Sequence, residues 1–198
     1  GGEAISSIYD YQHSAAKRFG VHIELGIDAS ANTIVSCTPD EVILATGASM
    51  VPPRWLPVTA REFVTDVRSA MRNLAGLQRR QSGTAVIYDM DLSEGTYACA
   101  ERLHEVFERV VIVTPRDAIA EDTSMVTRQG IQRRLSNNST EVLTLHEPRW
   151  SDAMEQGTLQ VVQVYTGSGR EISGVSFVAY STPRAPNIEL AAPLRAAG

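Results

Sequence analysis

The sequence predicts an α/β fold: a Rossmann-like parallel sheet flanked by helices, with a small antiparallel β-hairpin or meander insert. Three observations predict it. Thr84–Tyr88 is a buried-strand run, a helical stripe of Tyr97, Ala100, Leu103 and Phe107 follows, and Val110–Val113 is apolar again. That is a βαβ unit, whose crossover is expected to be right-handed. Upstream, Val42-Ile43-Leu44-Ala45 is apolar on both faces, as in a central parallel strand, and stops abruptly on Thr46-Gly47. Downstream, two strand-like runs, 159–165 and 170–173, flank the turn Thr166-Gly167-Ser168-Gly169 before Val175–Tyr180 returns to the buried pattern.

The remaining elements follow in order. Ile5, Ile8, Ala15, Ala16 and Phe19 form a helical stripe that Gly20 ends as a left-handed C′ residue. Val21–Leu25 alternates apolar and polar residues, the period of a half-covered strand, and Ile34–Cys37 offers another short one. Pro52, Pro53 and Pro57 interrupt regular structure. Thr59 and Glu62 then have capping-box spacing, which predicts a helix from about Ala60 to Leu77 with Phe63, Val67, Met71 and Leu74 on its buried stripe. Gln78–Gly83 reads as a linker. After the βαβ unit, Met125–Leu135 is expected to be helical and Glu141–Leu145 to add a parallel strand.

Composition excludes several classes. The formal net charge of −5 argues against nucleic acid, which needs a concentrated basic surface, and Arg79-Arg80 and Arg133-Arg134 read as solvated helix ends. No apolar run reaches transmembrane length, so no membrane partner is expected. Cys37 and Cys99 lack redox or disulfide spacing; both are expected to be buried, in a cytoplasmic protein. His13, His22, His104 and His146 lie on separate elements without metal-ligand spacing, and Gly167-Ser168-Gly169 is a hairpin turn rather than a nucleophile elbow.

The chemistry-bearing candidates cluster at strand ends. Gly47 suits a positive φ, either to finish a strand or to let backbone approach a ligand. The loop after Tyr88 reads Asp89-Met90-Asp91-Leu92-Ser93-Glu94-Gly95, with Gly95 as its one glycine and three carboxylates that would repel a pyrophosphate; Asp91 or Ser93 is placed to cap the next helix. Arg116 follows the second strand, where a cation would favour a ribose 2′-phosphate or simply face solvent. Pro183 stands in a turn after the last strand, where it forbids positive φ.

Together, Asp40–Ala48, Val86–Asp91, Glu101-Arg102-Leu103, Val111–Pro115 and Arg128–Leu135 resemble a known family. They are similar to the C-terminal half of NADH:flavin oxidoreductases of the trimethylamine dehydrogenase and 2,4-dienoyl-CoA reductase group. The resemblance implies three parts: 1–58 as the remnant of an FAD- or ADP-type domain ending in the Ala45-Thr46-Gly47 strand, 59–83 as helix and linker, and 84–198 as a Rossmann-like NAD(P)-type domain. It implies FAD or ADP beside Ala45, Thr46 and Gly47, and NAD(P)H near Asp89, Asp91, Gly95 and Arg116. FMN, an iron–sulfur cluster and the catalytic residues would lie in an N-terminal barrel, the expected partner, so the chain reads as a fragment inactive alone. No Gly-x-Gly-x-x-Gly precedes Asp40. Two functions stay open: electron transfer to or from the barrel's flavin, or a non-catalytic scaffold with a degenerate nucleotide site that docks the barrel, another copy or an electron-transfer protein.

Overall fold

The computed structural model describes residues 2–74 and 81–197, with side chains in the first helix from Ser7 onward. The chain divides into two compact units, one made of residues 1–46 and 188–198 and the other of residues 47–187.

The first unit holds helix α1 (Gly2–Arg18) and short helices α2 (Ala31–Ser36) and, near the C-terminus, α6 (Ala191–Ala197). Gly20 has φ +71°, and the Gly20 and Val21 amides donate to Lys17 and Ala16 carbonyls, which is the Schellman ending its glycine suggests. Three expected strands do not form. Ile34–Ser36 lies in α2 instead, because the Ser30 side chain accepts the Thr33 amide at 3.1 Å and caps a helix start. Val21–Leu25 and Val42–Ala45 have no strand partner among the described residues, and Ile43 is 89% exposed. A strand that is apolar on both faces needs neighbours on each side, and three helices supply none. None of this unit's described side chains is buried, Cys37 included, contrary to the sequence expectation.

The second unit is built on a five-stranded parallel sheet in the order β2-β9-β3-β4-β5. It opens with β1 (Ala48–Met50), a 3₁₀ turn at Val58–Ala60, edge strand β2 (Thr65–Asp66) and helix α3 (Val67–Leu74). The helix expected over 60–77 is therefore shorter. Asp66, not Thr59, starts it, accepting the Arg68 and Ser69 amides at 2.9 and 3.1 Å; residues 75–80 lie outside the described residues, and the rest of the expected linker, 81–83, is strand. Then come β3 (Gln81–Asp89), α4 (Glu94–Val106), β4 (Phe107–Val113), α5 (Met125–Asn137) and β5 (Glu141–Leu143). An antiparallel meander follows, β6 (His146–Arg149), β7 (Leu159–Gln163) and β8 (Gly169–Ile172), before β9 (Val175–Ser181) returns beside β3. Strand β10 (Arg184–Pro186) finally pairs antiparallel with β1. The Asn187 amide donates to the Gly47 carbonyl at 3.0 Å, so the two ends of this unit meet.

Strand periodicity sorts the core into two faces. Ala85, Ile87, Val110 and Ile112 point to one face with Val67, Leu74, Tyr97, Leu103, Ile131 and Leu135 of α3, α4 and α5. Val86, Tyr88, Val111 and Val113 point to the other, against Leu159, Val161 and Ile172 of the meander. The helices thus cover one face, not both. The connections β3-α4-β4 and β4-α5-β5 step one way along the sheet, while the β5-to-β9 connection steps back. Right-handed crossovers stepping in opposite directions must lie on opposite faces, and the returning one here is the meander. Gly83, at φ +102°, sits at a bulge in β3 where an added Cβ would lie 2.7 Å from the Gly174 carbonyl. Ile112 is fully buried in β4, so Ile112→Ala is expected to cost about 2–5 kcal/mol in urea denaturation, through lost transfer energy and an unfilled cavity.

Candidate functional site

The sheet order places a reversal between β3 and β9, whose C-terminal ends are in register at Asp89 and Ser181. Ligands of open parallel sheets bind in the crevice outside such a reversal, with phosphate at the N-terminus of the following helix. Here the crevice is filled by the chain's own bonds. The Met90 and Asp91 amides both donate to the Ser181 carbonyl, at 2.7 and 3.1 Å, and the Thr96 hydroxyl donates to Ser181 Oγ at 2.6 Å.

Asp89 organises the loop. Its side chain is fully buried; Oδ1 accepts the Leu92 amide at 3.0 Å and Oδ2 accepts the Tyr97 hydroxyl at 2.8 Å. Tyr97 in turn accepts the Ala120 amide at 2.6 Å, tying the loop after β3 to the loop after β4. Burial pushes the Asp89 carboxyl up to about 6, opposed by the hydrogen bonds from Tyr97 and Leu92 and reinforced by the charge of Asp91. Burial raises the Tyr97 hydroxyl as well, and the neighbouring Asp89 raises it further. Leu92 holds φ +51° with its side chain buried. A turn that a glycine would make without strain is made by leucine, held by the Asp89 acceptor.

Ser93 is the N-cap residue of α4, yet its hydroxyl does not cap; it donates to Asp91 Oδ2 at 2.6 Å. Asp91 also pairs with Arg184 at 2.9 Å. Gly95 has ordinary φ, and an added Cβ would meet only Ser93 Oγ at 3.9 Å, so the fold itself does not require glycine there. Asp89, Asp91 and Gly95 therefore lie together at one helix N-terminus. Arg116 lies elsewhere: it is exposed after β4, its charge reaches the Tyr88 hydroxyl, and it makes no ion pair among the described residues. Ala45 and Thr46 close the first unit in exposed, non-strand backbone, and Gly47 opens the second at φ +77° with nothing within 4 Å of an added Cβ.

On the meander face, Tyr88 borders a groove with Arg54, Met90, Glu147 and Pro183. The Tyr88 hydroxyl donates to Glu147 at 3.2 Å, and Trp55 meets the Tyr88 ring edge-on at 5.5 Å. Sequence reasoning missed Tyr97, Thr96, Ser181 and Trp55. A buried-strand run ending on a carboxylate, as 84–89 does, was the available signal that a buried donor must be nearby.

The donor set does not fit a pyrophosphate. The Met90, Asp91 and Leu92 amides are committed to Ser181 and Asp89, the approach carries Asp91 and Glu94, and the nearby cation Arg184 is held by Asp91. Among the described residues no group of His, Cys, Asp or Glu could hold a metal ion, and no helix is long and apolar enough to cross a membrane.

Comparison with known proteins gives the relationship. The chain is 32% identical over 145 residues to an NADH oxidase of Thermoanaerobacter brockii, an alignment covering 68% of this chain and 22% of that protein. This chain resembles the C-terminal nucleotide-binding portion of the NADH:flavin oxidoreductases. Solved structures share its fold. The amine oxidase acting on 6-hydroxypseudooxynicotine from Pseudomonas geniculata N1 matches with a TM-score of 0.74 at 18% identity, covering 88% of this chain and 26% of that one. A 2-naphthoyl-CoA reductase matches at 0.73 and 17% identity, covering 93% and 26%. No protein-family model matches. The chain thus spans about a quarter of the length of these proteins.

The Asp89 network sets a pH dependence. Its folded carboxyl sits near 6, above the ordinary 3.8, so the folded state binds the extra proton. The resulting stabilisation is complete below the unfolded value and is lost as pH rises through about 6. The unfolding free energy of the native chain minus that of Asp89→Asn, from urea titrations, should fall between about pH 4 and pH 7, by up to ~3 kcal/mol, and then level off. A difference that rises with pH would contradict the assignment.

Proposed function

We propose that this chain is the C-terminal nucleotide-domain portion of a flavin-dependent NADH oxidoreductase, supporting redox transfer carried out by the rest of that enzyme. The similarity to NADH oxidase over most of this chain, and over only 22% of that protein, carries the reading. The first unit supports it: Val42, Ile43 and Leu44 are apolar on both faces yet solvent-exposed, which suits a strand completed by chain outside these residues. In this reading the barrel partner carries FMN and the iron–sulfur cluster, and no catalytic residue lies here.

Within that frame, the second unit is a scaffold with a degenerate nucleotide site. The Asp91–Arg184 pair and the amides committed to Ser181 favour this over cofactor binding at the loop. Ala45, Thr46 and Gly47 remain the positions where an FAD or ADP of the larger enzyme would approach, and Arg116 the one where an NADP phosphate would.

Calorimetric titration of the chain with NADH, NADPH, FAD and ADP is expected to give dissociation constants weaker than about 1 mM for each. Asp91→Asn combined with Glu94→Gln removes two charges from the helix N-terminus and should strengthen ADP binding relative to the native chain. Micromolar ADP binding by the native chain would sink the scaffold reading while leaving the parentage intact. Parentage has its own test: Ile43→Asp should change the stability of this chain by less than about 0.5 kcal/mol, because the side chain is 89% exposed, but should destabilise the full-length enzyme markedly.

A further inference from the structure

A second groove of the 47–187 unit is unrelated to the strand-end crevice. It runs along the outer edge of β9, between the turn carrying Phe63 and the short 3₁₀ segment Asp152–Gln156 that joins β6 to β7. Trp150, Met154, Val175 and Phe177 supply its apolar lining, beside the polar Ser151, Asp152, Glu155 and Ser176. Three features distinguish it from an ordinary surface dip. First, β2 pairs with β9 only at Ala179 and Tyr180, so the outer edge along Val175–Phe177 has no strand beside it among the described residues. Open apolar sheet edges are templates for association unless charge or proline protects them. Second, the hydroxyl of Ser151 is buried in this wall without a hydrogen-bond partner among the described residues, an expensive state for a hydroxyl. Third, Phe63 stands at the rim 80% exposed, a large apolar knob beside an apolar hole.

The same patch is also complementary in charge. Arg61, two residues from the knob, is exposed and makes no ion pair among the described residues. Asp152 and Glu155 stand exposed on the opposite rim, likewise without an ion pair among the described residues. A patch that carries both knob and hole, and both signs of charge, fits a two-fold contact, in which each feature of one copy meets its counterpart on the other.

We propose that this face docks a second copy of the chain, with Phe63 of each copy seated between Trp150 and Met154 of the other and Arg61 facing Asp152 and Glu155. The contact does not depend on the reading of the strand-end crevice or on the parentage.

Sedimentation-velocity runs of the full chain from about 1 µM to about 1 mM read the association directly. The native chain should pass from monomer to dimer within that range. Phe63→Asp and Arg61→Glu should each weaken dimerisation at least tenfold while leaving the urea midpoint unchanged, since both side chains are exposed. Adding Asp152→Lys and Glu155→Lys to Arg61→Glu should restore it, because the charges are then exchanged rather than lost. A chain that stays monomeric throughout, a dimer indifferent to Phe63→Asp, or a triple variant no better than Arg61→Glu alone would each overturn the proposal. The first outcome would leave the groove to another part of the larger protein.

Discussion

Everything in the 47–187 unit hangs on the position of β9, laid parallel against β3 on the side away from β4. That single placement reverses the direction in which the sheet is traversed. It forces the last crossover to the face that the helices leave bare, and it brings Ser181 opposite Asp89. The central strand β3 is then dry on both sides, with Ala85, Val86 and Ile87 fully buried. A strand with no exposed edge or face has no tolerance for slipped register, since a one-residue shift would exchange its two faces wholesale. The crevice at the strand ends exists because of this reversal, and so do the bonds that fill it.

Filling a strand-end crevice with protein groups has an energetic logic. A glycine-rich loop leaves its amides pointing at empty space and relies on a ligand to satisfy them. Here Ser181 and Asp89 satisfy the Met90, Asp91 and Leu92 amides, and Leu92 is held in left-handed backbone by one of these bonds. The loop is thereby ordered without a ligand. The cost is a carboxylate buried where its charge is disfavoured, and Tyr97 offsets part of that cost by donating its hydroxyl.

The parallel core was legible in the sequence because both faces of its strands are covered within the chain, so 84–88, 110–113 and 175–180 carry unbroken apolar runs. The meander was legible through the glycine turn at Thr166–Gly169. Three features were not. Val42–Ala45 has the composition of a buried strand, but composition reports what a segment needs and not whether its neighbours are at hand. Ile34–Cys37 looked β-branched enough for a strand, while Ser30 outweighed that preference by capping a helix. At the candidate site, the acidic loop was visible from its charges, whereas Tyr97, Thr96 and Ser181 were hidden because each also suits an ordinary amphipathic helix or buried strand. Only the fold shows that the Thr96 hydroxyl meets Ser181 and the Tyr97 hydroxyl meets Asp89.

The junction at Gly47 and Asn187 bears on how such a chain is assembled. A segment of well over a hundred residues leaves and re-enters the surrounding chain through two adjacent strands, Ala48–Met50 and Arg184–Pro186, whose ends are already hydrogen-bonded. To the rest of the polypeptide this segment behaves as a loop of nearly zero span. Because its ends are pinned by its own sheet, the entropy of closing that loop is met by the cassette's internal folding rather than by the unit it interrupts. A segment whose ends meet in this way can be carried within another unit without stretching the connectivity of that unit.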